Sequence, residues 1–146
     1  MGLLSRLTGG GAPAKKPQDD VLLIHGMLLM AGADGTIEDS EQALVCALFE
    51  TLPEFKGKDW DELVNQGLKI VNKAGGLKES VKAIGDLSTP ALKKKLYCLA
   101  VDIAMSSGDI DEAEDAMLET YQRLLGIDDA TAGKIIDVMG MKYATG

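Results

Sequence analysis

One acidic turn occurs twice in this sequence, and it constrains the possible folds more than any other feature. The first copy spans residues 33–41 and the second, a degenerate copy, spans residues 106–114. Each contains a glycine, an isoleucine two residues later and a glutamate four residues after that. Each also follows a long apolar run and precedes a segment with apolar positions at helical spacing. The sequence therefore predicts two helix–acidic turn–helix hairpins.

The composition favours helices over strands. Aromatic residues make up only 4% of the chain, while alanine, leucine, lysine, glutamate and methionine, which are common in helices, are abundant. A chain of 146 residues can bury one hydrophobic core but is short for two domains. We therefore expect an all-α fold, a compact single-domain bundle of about seven helices.

The most apolar segment, residues 21–33, is predicted to be a helix buried on most of its faces. His25 is its only ionisable side chain, and we expect a hydrogen-bonded core histidine there, with metal ligation as the alternative. The segment is shorter than the roughly 20 residues of a membrane-spanning helix. Apolar spacing, capping residues and Gly or Pro stops predict six further helices at residues 40–52, 59–75, 77–87, 90–105, 113–125 and 130–139.

The first 19 residues are predicted to be a flexible N-terminal arm, followed by a helical domain over residues 20–146. Residues 9–17 are rich in glycine, proline and lysine, a composition that does not form a packed core. Residues 1–7 are apolar and basic. They are interpreted either as an untethered tail or as a short segment that docks on a partner or a membrane surface.

The flanks of the two acidic turns also correspond. At an offset of 73 residues, Met30 aligns with Ile103 and Ala31 aligns with Ala104. The match is weak but covers both sides of the turns. It indicates an ancient duplication and predicts an internal pseudo-twofold repeat of the two hairpins.

The net charge of −8 excludes the usual electrostatic basis of nucleic-acid binding. The one basic run, residues 93–95, is interpreted as the solvated start of a helix. Cys46 and Cys98 have no partner at metal-binding or redox spacing. We expect both to be buried as small hydrophobic residues in a reducing cytoplasm.

Helix capping alone can explain part of the acidic pattern. Thr36 with Asp39, and Asp109 with Glu112, are three residues apart, as N-cap and N3 residues are, and the helix dipole favours acidic side chains in a first turn. Asp34 does not fit this explanation. It is expected at the C-terminal end of the preceding helix, where the dipole disfavours a negative charge.

A divalent cation would compensate the like charges gathered at each turn. The second half of an EF-hand calcium loop fits both copies, but the first half does not. The positions that require oxygen ligands are occupied by Met30 and Gly32 in the first copy and by Ile103 and Met105 in the second. A true EF-hand is therefore rejected.

The residues resemble a known family. The pattern Ala-Asp-Gly-x-Ile-x-x-x-Glu after an apolar helix rich in small residues, returning in degenerate form after a second apolar helix, is similar to the TerB family of bacterial tellurite-resistance proteins. The resemblance covers roughly residues 21–139. It implies a mostly seven-helix domain with clustered acidic residues proposed to chelate metal. It also implies a stress-response system at the inner face of the membrane, beside other tellurite-resistance proteins.

Carried over to this sequence, the motifs and the adjacent carboxylate provide six candidate metal ligands: Asp34, Glu38, Glu41, Asp109, Asp111 and Glu114. Asp109 is included because Ser107 stands where the family usually has aspartate, so this carboxylate would substitute from the other side of Gly108. Calcium or magnesium is favoured because all the ligands are oxygens. Asp102 is a further candidate, with a position on the flank of its helix as the alternative.

Nothing in the sequence indicates catalysis. It has no nucleophile next to a base, no phosphate-binding glycine loop between a strand and a helix, and no acid–base pair in an expected cleft. The sequence predicts a non-enzymatic metal-binding module, cytoplasmic or peripheral at the inner membrane, with other tellurite-resistance proteins as partners. The alternative is an interaction scaffold with an acidic docking surface and no specific metal.

Overall fold

The structure is a computed structural model that describes residues 18–145, and this part of the chain is helical throughout. It contains seven α-helices with short connections, and no strand occurs between residues 18 and 145. The helices are α1 (Asp19–Ala31), α2 (Asp39–Thr51), α3 (Trp60–Ala74), α4 (Leu77–Ser80), α5 (Pro90–Met105), α6 (Glu112–Leu125) and α7 (Asp129–Tyr143). Short 3-10 segments follow α2 (Pro53–Phe55) and α4 (Val81–Asp86). The predicted all-α class is confirmed.

Helix α1 is the centre of the bundle, as its apolar sequence predicts. Residues on all of its faces are buried, and α2, α3, α5, α6 and the second 3-10 segment pack around it. A Cβ atom on Gly26 would lie 2.7 Å from Leu96 Cδ2 of α5. Tyr121 of α6 donates its hydroxyl to the Gly26 carbonyl oxygen. Glycine at this position therefore allows three helices to meet.

The helix predicted at residues 77–87 is shorter than expected. Helix α4 ends at Ser80, and the chain continues as a 3-10 segment. His25 Nε2 lies 3.1 Å from the Ser80 carbonyl oxygen, which is the acceptor that the next turn of an α-helix would use. His25 is buried, and burial lowers its pKa. It is therefore the hydrogen-bonded core histidine that the sequence indicates.

Helix α7 extends to Tyr143, beyond its predicted end at residue 139. Lys142 Nζ donates to both carboxylate oxygens of Asp102 in α5, at 2.8 and 2.9 Å, and the Tyr143 hydroxyl donates to the same carboxylate. These contacts hold the last turn of α7 against the bundle. Asp102 is only 6% exposed, so it lies in the interior of the bundle with Lys142 and Tyr143 as its partners.

Residues 1–17 lie outside the described part of the chain, and with them most of the predicted arm. The predicted arm ends at residue 19, but Asp19 is already the first residue of α1. No helix between residues 18 and 145 has both the length and the apolar character that crossing a membrane requires. Cys46 is exposed and Cys98 is half-buried, so the expectation that both thiols are buried is wrong.

Candidate functional site

The two acidic turns have the same backbone conformation. In each, the glycine N–H donates to the carbonyl oxygen three residues earlier, at 2.9 Å for Gly35 and 3.0 Å for Gly108. Both glycines have a positive φ, +94° for Gly35 and +105° for Gly108, a conformation that other residues rarely adopt. The two turns therefore share one backbone hydrogen bond and one glycine conformation, and the duplication itself stays a prediction. The pseudo-twofold relation between whole hairpins stays a prediction.

Each turn leads into a helix with a capping box, but not at the predicted residues. The Glu38 N–H donates to Glu41 Oε1 at 3.0 Å at the start of α2. At the start of α6, the Asp111 N–H donates to Glu114 Oε1 at 3.1 Å, and the Glu114 N–H donates to Asp111 Oδ1 at 2.8 Å. The expected pairs, which began at Thr36 and Asp109, are therefore wrong by two residues.

The two N3 glutamates, Glu41 and Glu114, meet in the interior. They are 2% and 3% exposed, and their carboxyl groups lie within hydrogen-bonding reach of each other. The pKa of Glu114 is raised to about 7, chiefly by burial; the bond from the Asp111 N–H lowers it, and the nearby Glu41 and Asp111 carboxylates raise it. Near neutral pH, the Glu114 carboxyl group therefore gains or loses a proton easily.

A second pair of carboxylates joins the turns at the surface. Asp34 and Asp111 are both exposed, and their side chains lie within hydrogen-bonding reach of each other. Asp34 Oδ1 also accepts hydrogen bonds from the Thr36 N–H at 3.1 Å and the Thr36 hydroxyl at 3.3 Å. The bond from the Thr36 N–H is the main cause that holds the pKa of Asp34 below its usual value. The Asp34 side chain therefore stabilises the turn, which explains in part why an aspartate occupies this position.

The structure thus brings four of the six predicted ligands together in two pairs, each with one member from each turn. The other two, Glu38 and Asp109, are exposed. Glu38 donates its backbone N–H to Glu41, and the Asp109 carbonyl oxygen is 3.5 Å from the Ser107 hydroxyl. Asp109 is therefore not shown to replace the missing aspartate.

Within residues 18–145, no group of three or more histidine, cysteine, aspartate or glutamate side chains is arranged to hold a metal ion. Carboxylate oxygens are nevertheless the ligands that a hard divalent cation prefers, and the exposed Asp34–Asp111 pair offers two such groups at the surface. Any ion at this place would have two protein carboxylates from one pair and would need water for its other ligands.

Two other candidates from the sequence lie apart from these pairs. Asp102 is bound by Lys142 and Tyr143, and His25 by the Ser80 carbonyl oxygen. Sequence reasoning missed Thr36 as the partner of Asp34. A threonine two residues after an aspartate is a signal for this kind of turn, and it was available in the sequence.

The family comparison agrees with the motifs. Residues 20–136 match the family described as Tellurite resistance protein TerB. No curated protein and no solved structure matches this chain. The family match covers most of the chain and includes both acidic turns and the buried helix α1. The chain belongs to the TerB family of tellurite-resistance proteins.

Proposed function

We propose that this domain binds a divalent cation between its two acidic turns, at the Asp34–Asp111 pair, as a non-enzymatic metal-binding module. The observation that supports the proposal is that carboxylates from two distant segments meet there. Among residues 18–145, no lysine or arginine forms an ion pair with Asp34, Glu41, Asp111 or Glu114.

Like charges in contact repel unless a proton or a cation compensates them. In the buried pair, Glu114 holds a proton more readily than an ordinary glutamate does, because its pKa is raised to about 7. In the exposed pair, the bond from the Thr36 N–H is the main cause that holds the pKa of Asp34 below its usual value and so favours its charged form. The exposed pair is therefore the part of the site that attracts a cation.

Magnesium is commonly held by one or two carboxylates and keeps several waters, while calcium takes more protein oxygens. The two exposed carboxylates of Asp34 and Asp111 match the number that magnesium commonly binds. Asp34 comes before α2 and Asp111 is the N-cap of α6, so holding both would tie two helix starts together and neutralise part of the local charge. The Glu114 carboxyl would also lose its proton more readily beside a positive charge.

The rival function is an acidic docking surface without a specific ion. It is favoured by one observation: both buried glutamates already accept bonds in capping boxes, so helix capping alone gives each of them a role. In this case, the exposed carboxylates would attract basic partners through charge that salt screens.

Calorimetric titration of the chelator-treated full chain with Ca²⁺ and with Mg²⁺ separates the two. Asp34→Asn and Asp111→Asn are suitable variants, because asparagine can still accept the Thr36 bonds and is a good N-cap residue. We expect saturable binding to the native chain and at least tenfold weaker binding to each variant. Asp61→Asn, an exposed position on α3, is the matched control and should bind as the native chain does.

A heat signal that does not saturate, disappears in moderate salt and is the same in all three variants would support the docking surface instead.

Membership of the TerB family supports a wider proposal. The domain would act in tellurite resistance or a related stress response, in the cytoplasm or at the inner face of the membrane, with other tellurite-resistance proteins as partners.

A further inference from the structure

An apolar groove lies beside the first acidic turn, and no part of residues 18–145 covers it. Its volume is about 310 Å³, and its walls come from α1, α2 and the start of α3. The lining includes Leu28, Ala31, Ile37, Val45, Cys46 and Trp60. Ile37 is 47% exposed. A groove of this size and character is suited to aliphatic side chains.

One edge of the groove is acidic. Gln42, which lines it, lies one helical turn after Glu38 on the same face of α2. Glu38 and Asp39 are both exposed at the start of that helix. An occupant with aliphatic side chains beside a positive charge would therefore match both the walls and the edge.

The first seven residues of the chain have this chemistry. They include Leu3, Leu4 and Leu7, with Arg6 among them. Residues 1–17 contain three basic and no acidic side chains, which leaves a net charge of −11 on the rest of the chain. Attraction between this segment and the folded domain follows from these charges.

The reach of the chain allows the contact. Helix α1 rises by about 14 Å from Asp19 to Leu28, and the ten residues 8–17 can span about 33 Å when extended. The Asp20–Lys58 ion pair, at 3.3 Å, also holds the segment before Trp60 next to the start of α1. The groove is therefore within reach from the point where the arm joins the fold.

We infer that residues 1–7 of this chain occupy the groove of the same molecule, with leucine side chains against α1 and α2 and Arg6 toward the acidic edge. A larger cleft of about 1280 Å³ lies beside the same junction, but it is lined mainly by charged and polar side chains, which do not match three leucines. The inference does not depend on cation binding, and it is tested with chelator present.

Disulfide trapping tests the contact, because Cys46 lines the groove and is exposed. Leu4→Cys is introduced into the full chain. The fraction in which the introduced thiol is bonded to Cys46 is measured in glutathione buffers by peptide mass mapping, which also reports any bond to Cys98. The effective concentration of the two thiols follows from this fraction. The matched control carries Leu4→Cys, Cys46→Ala and Ala47→Cys, which places the thiol one residue away at an exposed position that does not line the groove.

We expect the effective concentration to be at least tenfold higher with Cys46 than with the control. Adding Arg6→Glu should lower it several-fold. Thr8→Cys in place of Leu4→Cys should pair less well with Cys46, although it closes a shorter loop.

Equal values for Cys46 and the control, or better pairing from position 8, would overturn the inference. Disulfides that link two molecules and increase with protein concentration would also overturn it, because the groove would then hold a second copy. In the unmodified sequence, deleting residues 1–7 should raise the alkylation rate of Cys46 several-fold and leave that of Cys98 unchanged. No change at Cys46 would contradict the inference.

Discussion

Within residues 18–145, buried carboxylates lie at two places, and their surroundings are opposite in charge. Asp102 in α5 accepts bonds from Lys142 and Tyr143 of α7, so a cation and a hydroxyl lie next to its charge. Glu114 in α6 has two carboxyl groups near it, those of Glu41 and Asp111. A buried charge is stable when a partner of opposite charge accompanies it. The first group therefore ties α5 to α7, whereas the second places carboxyl groups next to one another in the interior.

The difference indicates where function lies. Carboxyl groups that lie together with perturbed pKa values are typical of a binding or catalytic site. The Asp102 group joins two helices and needs nothing more. At the acidic turns, by contrast, carboxyl groups lie next to one another, and the raised pKa of Glu114 makes that group sensitive to pH.

Replacement of Lys142 should have the largest effect. Lys142→Met leaves Asp102 buried without its cation, while the methionine keeps much of the aliphatic packing. We expect a loss of about 2 to 3 kcal/mol in the free energy of unfolding, measured by urea denaturation at pH 7. Lys134→Met, on an exposed position of the same helix, should change it by about 0.5 kcal/mol or less. Equal effects from the two variants would mean that the Asp102 contact does not hold α7.

Removal of the Glu114 charge should have a smaller effect that depends on pH. The pKa of Glu114 is raised from 4.5 to about 7 in the folded state, so between these values the folded state binds more protons than the unfolded state. The native chain should therefore lose stability as the pH rises through this window. Glutamine can still accept the capping bond. The free energy of unfolding of Glu114→Gln, relative to that of the native chain, should therefore rise by about 1 to 2 kcal/mol between pH 5 and pH 8.

The measurement is urea denaturation at both pH values with chelator present. His25 contributes the opposite slope, because its pKa is lowered, but it is present in both proteins and cancels in the difference. Parallel stability curves for the two proteins would show that Glu114 is already charged at pH 5, and the buried pair would then not share a proton.

The sequence predicted the helices well because each depends on local apolar spacing and stop signals. The start of α5 is an example: a threonine before a proline is a typical helix start, and the Thr89 hydroxyl oxygen accepts from the Leu92 N–H at 3.1 Å. The caps of α2 and α6 were placed two residues early. Glutamate is an unusual N-cap residue, so Thr36 was the better local choice over Glu38. With the cap at Glu38, Glu41 becomes the N3 residue and contacts Glu114 of the other turn. Local helix propensity does not take such a long-range contact into account.

The candidate site could be predicted only in part. The motifs located carboxylates at both turns, but which of them meet depends on how the helices pack around α1. Asp102 shows the same limit. An acidic residue in an apolar helix predicts a partner, yet Lys142 lies 40 residues away in the sequence, and no spacing rule connects them.

The smallest effect is expected at Ser107, which is where the two turns differ. At the offset of 73 residues, Ser107 corresponds to Asp34 and Glu38 corresponds to Asp111. A twofold relation between the turns therefore places residue 107 beside Glu38, as Asp34 is beside Asp111. Ser107→Asp would complete a second carboxylate pair and should lower the stability of the metal-free protein by about 0.5 kcal/mol through like-charge repulsion.

Ser107→Asn has nearly the same shape without the charge, so the comparison of the two variants isolates the repulsion. Under the twofold relation, the aspartate variant alone should bind a second equivalent of cation in calorimetry, and its stability should recover when the cation is added. If the aspartate and asparagine variants have equal stability at low salt, residue 107 is not near Glu38. The similarity of the two turns would then end at their backbone, and the single Asp34–Asp111 pair would be a feature of the packing rather than half of a duplicated site.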